Sequence, residues 1–102
     1  MRDRDNDTKE ISNLELPAVL DISSAQILKE ALGDAIVSGS DIVLSGHKVE
    51  RVGTPAVQVL LAAAKFSEGE RRRFALRSPS EALTSAFREL GLLEMLEQWS
   101  RN

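Results

Sequence analysis

The amino-acid sequence predicts an α/β sandwich, with a mixed, mostly parallel sheet of four or five strands and about four helices. Short apolar runs such as residues 41–44 and 74–76 have the composition of buried strands. They alternate with longer segments, such as residues 27–36 and 55–66, whose apolar residues recur at helical spacing. Alternating strands and helices are typical of parallel βαβ units, which supports this fold class.

Domain organisation follows from the length and from a change in composition near residue 10. A chain of 102 residues, 42% of them hydrophobic, can bury one continuous core. We therefore assign a single domain to residues 10–102. Residues 1–9 are charged and lack apolar periodicity, so we expect a flexible lead-in there.

The first half of the domain is predicted to contain three strands and one helix. Residues 11–16 and 18–20 favour two extended segments. Ser23 followed by Gln26 matches a capping box, which should start an amphipathic helix. The branched residues of 41–44 then predict a central strand.

The second half is predicted to repeat this alternation. A buried strand should lead into a helix over residues 55–66, followed by a turn at 67–69 and a strand at 74–76. Ser78 begins a cap-plus-proline pattern for the next helix, and residues 92–99 predict a short terminal helix. The outward face of the helix at 55–66 is expected to carry Gln58, Ala62 and Lys65.

Composition excludes several function classes. A chain without cysteine has no thiol nucleophile, disulfide or Cys-ligated metal centre, and a net charge of −3 with interspersed signs gives no basic face for nucleic acid. The sequence has no glycine-rich nucleotide motif, so we expect no cofactor, no metal and no catalytic residues. The apolar runs are too short to span a bilayer, and we expect a cytoplasmic protein without direct membrane insertion.

Thr54, at the predicted junction of strand and helix, is the most prominent candidate functional residue. Followed by Pro55, it is predicted to be an N-cap with proline at the first helical position. Its hydroxyl should then lie near the N–H groups of Ala56 and Val57, where a phosphate meets a favourable field. The same geometry equally fits a structural cap that contributes ~1 kcal/mol.

Asp21 and Ser23 follow another predicted strand. We expect Asp21 near Thr54, because parallel strands end at the same edge of a sheet, but Asp21 could equally cap the first helix. Ser23 has the same ambiguity, with capping favoured by Gln26.

The other polar residues are expected to lie in solvated loops and turns. His47, the only histidine, has no serine or carboxylate at a spacing that suggests a triad or a metal site, so we interpret it as a solvated loop residue. Arg71, Arg72 and Arg73 are predicted to form a solvated turn before a strand, although an acidic groove of a partner could bind them.

Three segments, taken in order, resemble the STAS domain, the family of bacterial anti-sigma factor antagonists and of the cytoplasmic tails of sulfate transporters. Residues 20–25 (Leu-Asp-Ile-Ser-Ser-Ala) resemble its entry to the first helix, and residues 49–61 its strand–helix motif. The Ser-Pro pair at residue 78, with the Gly-Leu pair at residue 91, resembles its final helix. The resemblance covers roughly residues 10–97 and implies a STAS-like sandwich.

In the antagonists that this chain resembles, the hydroxyl residue after the motif aspartate is phosphorylated by an anti-sigma kinase, and the unphosphorylated form binds that kinase. Thr54 matches this position. Gly53 stands where the family has aspartate, and Pro55-Ala56 stands where it has a small residue and glycine.

The resemblance implies a regulatory protein-interaction module that binds an anti-sigma factor or serine kinase, with Thr54 as the phosphoacceptor. An alternative is an MlaB-like STAS subunit that binds the ATPase of an ABC-type lipid transporter, and another is a signalling scaffold that is not phosphorylated. An enzyme is the least favoured class. In each case the partner surface is predicted to comprise Asp21, Ser23, Gly53, Thr54, Pro55 and Gln58.

Overall fold

The computed structural model describes residues 10–102, and the lead-in predicted for residues 1–9 lies outside them. Strands and helices alternate along the described chain, and the predicted α/β fold class is confirmed. The elements are β1 (Ile11–Glu15), β2 (Val19–Leu20), α1 (Ile22–Val37), β3 (Asp41–Ser45), β4 (Arg51–Val52), α2 (Thr54–Gly69), β5 (Phe74–Arg77), α3 (Glu81–Glu89) and α4 (Leu93–Arg101).

The five strands divide into two parallel sheets. One sheet has the order β1-β3-β5, with Leu14, Leu44 and Leu76 in register across it. The other is the ladder of β2 and β4. Pro17 separates β1 from β2, because proline has no N–H to donate to a continuing ladder.

The core lies between the three-stranded sheet and the helices. Leu44, Leu60 and Phe87 are fully buried there. Helix α4 closes the core beside β5, where the Trp99 ring meets Phe74 edge-on at a centroid distance of 5.0 Å. Such an aromatic pair contributes roughly 0.5–1.5 kcal/mol beyond area burial. The prediction of a terminal helix docked on the body is confirmed.

Helix α3 is capped two residues after the predicted cap, Ser78. Its N-cap is Ser80, whose hydroxyl accepts the Leu83 N–H at 3.1 Å. Ser78 has a φ of 50° and cannot be the extended residue that an N-cap requires. The Ser80 N–H instead donates to the Gly46 carbonyl at 3.1 Å, which fixes where the chain turns into the helix.

The surroundings of α2 also differ from the predictions. The strand before it, β4, is only two residues long, and its Arg51 is exposed, so the predicted buried strand is wrong. The two-stranded ladder leaves β4 with a single partner strand. The turn predicted at residues 67–69 is instead the last part of α2, because the Ser67 side chain is buried and the chain reverses only at Arg71, with φ 60°.

Candidate functional site

The candidate residues lie where two neighbouring strands pass into helices. β2 and β4 are parallel and end together, and the Gly53 N–H donates to the Leu20 carbonyl at 2.7 Å. Asp21 and Gly53 therefore leave the ladder side by side, and α1 and α2 both begin there. We call residues 21–24 and 53–55 the junction edge.

Asp21 is the N-cap of α1, as one of the two interpretations of the sequence predicts. Its carboxylate accepts the Ser24 N–H at 2.9 Å, and the Ser24 hydroxyl lies 3.1 Å from the same oxygen. That hydroxyl is also 2.6 Å from the Val19 carbonyl oxygen. The Ser24 backbone N–H, and after it the Ser24 hydroxyl, lower the pKa of Asp21 below its ordinary value, since both stabilise the carboxylate.

The capping box predicted from Ser23 and Gln26 is wrong. Ser23 is the second residue of α1 and is exposed, because Asp21 occupies the cap position two residues earlier. The sequence offers three polar residues within residues 21–24, and the end of the β2 ladder decides which of them is the extended one.

Helix α2 is capped by Gly53 and not by Thr54. Gly53 has the extended backbone of an N-cap, with φ −99° and ψ 157°, and no side chain caps the helix. A Cβ at this position would lie 3.3 Å from the Leu20 carbonyl oxygen, which is tight for any side chain. Gly53 is still hydrogen-bonded to β2, so the chain turns into the helix directly after it, and Thr54 becomes the first helical residue.

This shift changes what Thr54 can do. The N–H groups of Ala56 and Val57, predicted to be free for an anion, both approach the Gly53 carbonyl, at 3.1 Å and 3.4 Å. Pro55 has no N–H, so the first turn of α2 offers a phosphate fewer donors than the sequence predicts. Thr54 itself is exposed, and within residues 10–102 its hydroxyl makes no hydrogen bond. Its side chain is therefore free to meet a partner.

An apolar groove runs from the junction edge between α1 and α2. It has a volume of about 640 Å³, and Pro55, Gln58 and Val59 line the α2 side. Of the described residues that line it, only Lys29 is charged. Large apolar side chains stand at its ends, with Ile22 74% exposed and Phe66 50% exposed. We call this feature the α1–α2 groove; exposed apolar surface of this kind commonly marks an interaction site.

The α1–α2 groove was not predicted, because the apolar residues of α2 indicate a helix that is buried almost all round. Gln58, Ala62 and Lys65 are exposed as predicted, but Phe66 is exposed beside them. Apolar residues on most of the circumference of a helix indicate burial, and nothing in this local pattern shows that α1 leaves Phe66 uncovered.

His47 has neighbours that the sequence did not reveal. Its Nδ1 lies 2.8 Å from the Ser45 hydroxyl, and its Nε2 lies 3.5 Å from a Glu15 carboxylate oxygen. The contact with Glu15 could not be predicted from sequence spacing, because it arises from the pairing of β1 with β3, which brings Glu15 opposite Ser45. The imidazole is 55% exposed, as expected of a loop residue, and this cluster is open to solvent.

The described part of the chain also bears on metal binding and on membrane spanning. No three His, Asp or Glu side chains within residues 10–102 come together as a metal site would require. Across the same residues, no helix combines the length and hydropathy needed to cross a membrane.

A protein-family model matches the chain. The family described as "Mlab, STAS domain" matches residues 4–97, which is nearly the whole chain. No curated protein matches the chain significantly. STAS domains generally act as protein-interaction modules in regulatory or transporter-associated assemblies, without enzymatic activity of their own. The extent of the family match and the alternating parallel fold agree, and the chain belongs to the STAS domain family.

Proposed function

We propose that this protein is a docking subunit that binds the ATPase of an ABC-type transporter through the junction edge and the α1–α2 groove. The observation that carries the proposal is the continuity of these two features, since Pro55 belongs to both. Exposed Thr54 would provide a polar contact, and Ile22 and Phe66 would provide apolar ones. Buried apolar anchors surrounded by polar contacts are the usual pattern of a stable interface.

Two observations favour a transporter ATPase over a kinase. The matching family is described as Mlab. An MlaB-like STAS subunit of a lipid transporter is the alternative to an antagonist that the sequence also fits. Gly53 also replaces the aspartate of the antagonist motif, and the first turn of α2 has few free N–H groups for a phosphate. A cytoplasmic location, a single domain over residues 10–102 and the absence of direct membrane insertion belong to the same proposal.

A phosphorylation switch at Thr54 is the second candidate function. The observation that favours it is that the Thr54 hydroxyl is exposed and is not used as a cap. A kinase could therefore reach it, and phosphothreonine would add about −1.5 to −2 charges beside the groove. In that case the partner would be an anti-sigma factor or serine kinase, and phosphorylation would release it.

The test is co-purification from the native host with a paired set of variants. Phe66→Ser removes an exposed apolar side chain from the groove, whereas Ile27→Ser removes one that is 69% exposed on α1 but outside the groove. We expect Phe66→Ser to weaken binding of the co-purified protein about tenfold, the scale of a modest hot spot, and Ile27→Ser to leave it unchanged.

The identity of the bound protein and the state of Thr54 separate the two candidates. A transporter ATPase together with unmodified Thr54, measured by mass spectrometry, supports the docking subunit. A serine kinase, with phosphate on Thr54 and loss of binding in Thr54→Glu, supports the switch and contradicts the transporter proposal. Equal effects of Phe66→Ser and Ile27→Ser would contradict the groove as the docking surface.

A further inference from the structure

A second groove lies near the far end of α2 from the junction edge, between α2, the turn before β5 and α4. Helix α2 has 16 residues, so its two ends are about 24 Å apart at a rise of 1.5 Å per residue. The groove has a volume of about 820 Å³. We call it the arginine groove, because Arg71, Arg72 and Arg73 line it together with Lys65.

The charge of this groove is opposite to that of the whole protein. Its four cationic side chains are exposed, while the chain carries a net charge of −3. Two acidic residues also line it, but Asp41 is buried and its carboxylate already accepts the Arg73 N–H at 2.9 Å. Glu68 is therefore the acidic side chain that offsets part of the positive charge of the groove. A local excess of positive charge on an acidic protein attracts acidic partners selectively.

The four cations are not equally held by the fold. The Arg72 guanidinium donates to the Gly39 carbonyl, and Arg73 Nε donates to the main-chain oxygen of Asn102 at 2.9 Å. Lys65 and Arg71, by contrast, form no ion pair with any of residues 10–102. Among residues 10–102, two of the four cations are therefore hydrogen-bonded to the main chain, and the other two are available to a ligand.

Apolar side chains lie next to these cations. Met95 is 39% exposed, and Leu61 and Ala64 are partly buried. Trp99 also lines the groove, although most of its ring is packed in the core. A groove with apolar and cationic parts fits a chain segment that carries both apolar and acidic side chains. A lone inorganic anion would leave the apolar part uncovered.

We propose that the arginine groove binds an acidic peptide segment of a protein partner, with carboxylates at Lys65 and Arg71 and an apolar side chain against Met95. This contact is independent of the junction edge, so the protein can hold two segments at once. A membrane of anionic lipids fits less well, because the site is concave and Arg72 and Arg73 are held along its wall. Linking two contacts raises the overall affinity without requiring either to be tight.

The probe is a synthetic peptide in which pairs of glutamates alternate with leucine, titrated into the full chain. Isothermal titration calorimetry measures the binding, and a change in the fluorescence of Trp99, the single tryptophan of the protein and a residue that lines the groove, places the peptide there. We expect saturable binding that weakens as salt is added, because the interacting charges are exposed. A peptide with serine in place of leucine should bind more weakly.

Variants locate the site. Arg71→Glu combined with Lys65→Glu should weaken peptide binding about tenfold or more, since each reversal replaces an attraction by a repulsion. Arg88→Glu makes the same kind of charge change at an exposed position of α3 outside the groove, and should have less effect. Circular dichroism checks that each variant folds. Lys65→Glu alone changes a residue on the surface of a helix. It tests the site without replacing Arg71, which has a positive φ.

Three results would overturn the proposal. The first is the absence of saturable binding by the acidic peptide. The second is an equal loss of binding in Arg88→Glu, which would mean a general charge effect. The third is binding of anionic phospholipid vesicles, dependent on Lys65 and Arg71, without binding of the peptide, which would identify a membrane contact instead.

Discussion

The two strand–helix junctions of this domain have the same topology but different chemistry. At the first, the Asp21 carboxylate caps α1 and is engaged by the Ser24 N–H. At the second, Gly53 caps α2 with its backbone alone, and Thr54 follows it with a hydroxyl that no described residue engages. The two sites are adjacent, since a Cβ on Gly53 would lie 3.9 Å from the Asp21 Cα.

The Asp21 carboxylate forms hydrogen bonds within the fold, whereas the Thr54 hydroxyl forms none with the described residues. Asp21 satisfies donors that would otherwise be exposed at the start of α1. Among residues 10–102 the Thr54 hydroxyl engages no such donor, so helix capping does not explain its presence at the mouth of the α1–α2 groove. A free hydroxyl beside an exposed apolar groove is available for binding a partner. Variants of Asp21 should therefore change stability, and variants of Thr54 should change the binding of a partner.

Loss of the Asp21 cap should have the largest effect on stability. Asp21→Ala removes the acceptor of the Ser24 N–H and a neighbour of the Ser24 hydroxyl, so we expect a clear decrease in Tm. Asp21→Asn keeps an acceptor at the cap and should lose less. Thermal unfolding followed by circular dichroism measures both variants. Equal Tm values for wild type and Asp21→Ala would contradict the assignment of Asp21 as the structural cap.

The pH dependence of stability should contain a smaller contribution from the same residue. The hydrogen bonds from Ser24 lower the pKa of Asp21 in the folded protein from its ordinary value of 3.8. The native state therefore prefers the charged carboxylate more than the unfolded state does. This contribution is fully present above pH 3.8 and is lost as the pH falls through the lowered pKa of the folded state.

Urea unfolding of wild type and Asp21→Asn over this acidic range measures the contribution. The difference in unfolding free energy between the two proteins should shrink as the pH falls below 3.8. A difference that stays constant with pH would show that the charge of Asp21 does not contribute, and that only its ability to accept a hydrogen bond matters.

The order of elements was accessible from the sequence, but the caps of α2 and α3 were not, and the cap of α1 stayed open between Asp21 and Ser23. Ser23, Thr54 and Ser78 all satisfy the local rules for an N-cap, and each helix is capped by another residue. At Gly53, the deciding contact is the hydrogen bond to Leu20, which belongs to the pairing of β2 with β4. Local capping rules allow several registers, and a contact with a distant part of the chain selects one of them.

The α1–α2 groove was harder to predict than the junction edge. The motif around residue 54 lies on contiguous residues, so family resemblance directs attention to it. The exposure of Phe66 instead depends on how far α1 covers α2, which is a matter of packing between two helices. The meeting of Glu15 with His47 has the same origin, since it requires the register of β1 against β3. Such features follow from tertiary structure and leave little trace in local patterns.

Thr54→Ala should have the smallest effect on stability, and the size of that effect decides between a cap and a recognition residue. An exposed side chain that forms no hydrogen bond with any of residues 10–102 should change the free energy of unfolding by no more than about 0.5 kcal/mol when truncated. A true hydroxyl cap should cost about 1 kcal/mol. Ser80→Ala gives this second value in the same protein, because the Ser80 hydroxyl accepts the Leu83 N–H.

Urea unfolding of both variants at neutral pH makes the comparison. We expect Thr54→Ala to remain close to wild type while Ser80→Ala loses stability. If the two variants lose the same amount, Thr54 contributes to the start of α2 in a way that its position after Gly53 does not account for. With wild-type stability, any loss of partner binding in Thr54→Ala can be attributed to the junction edge itself, because the fold is unchanged.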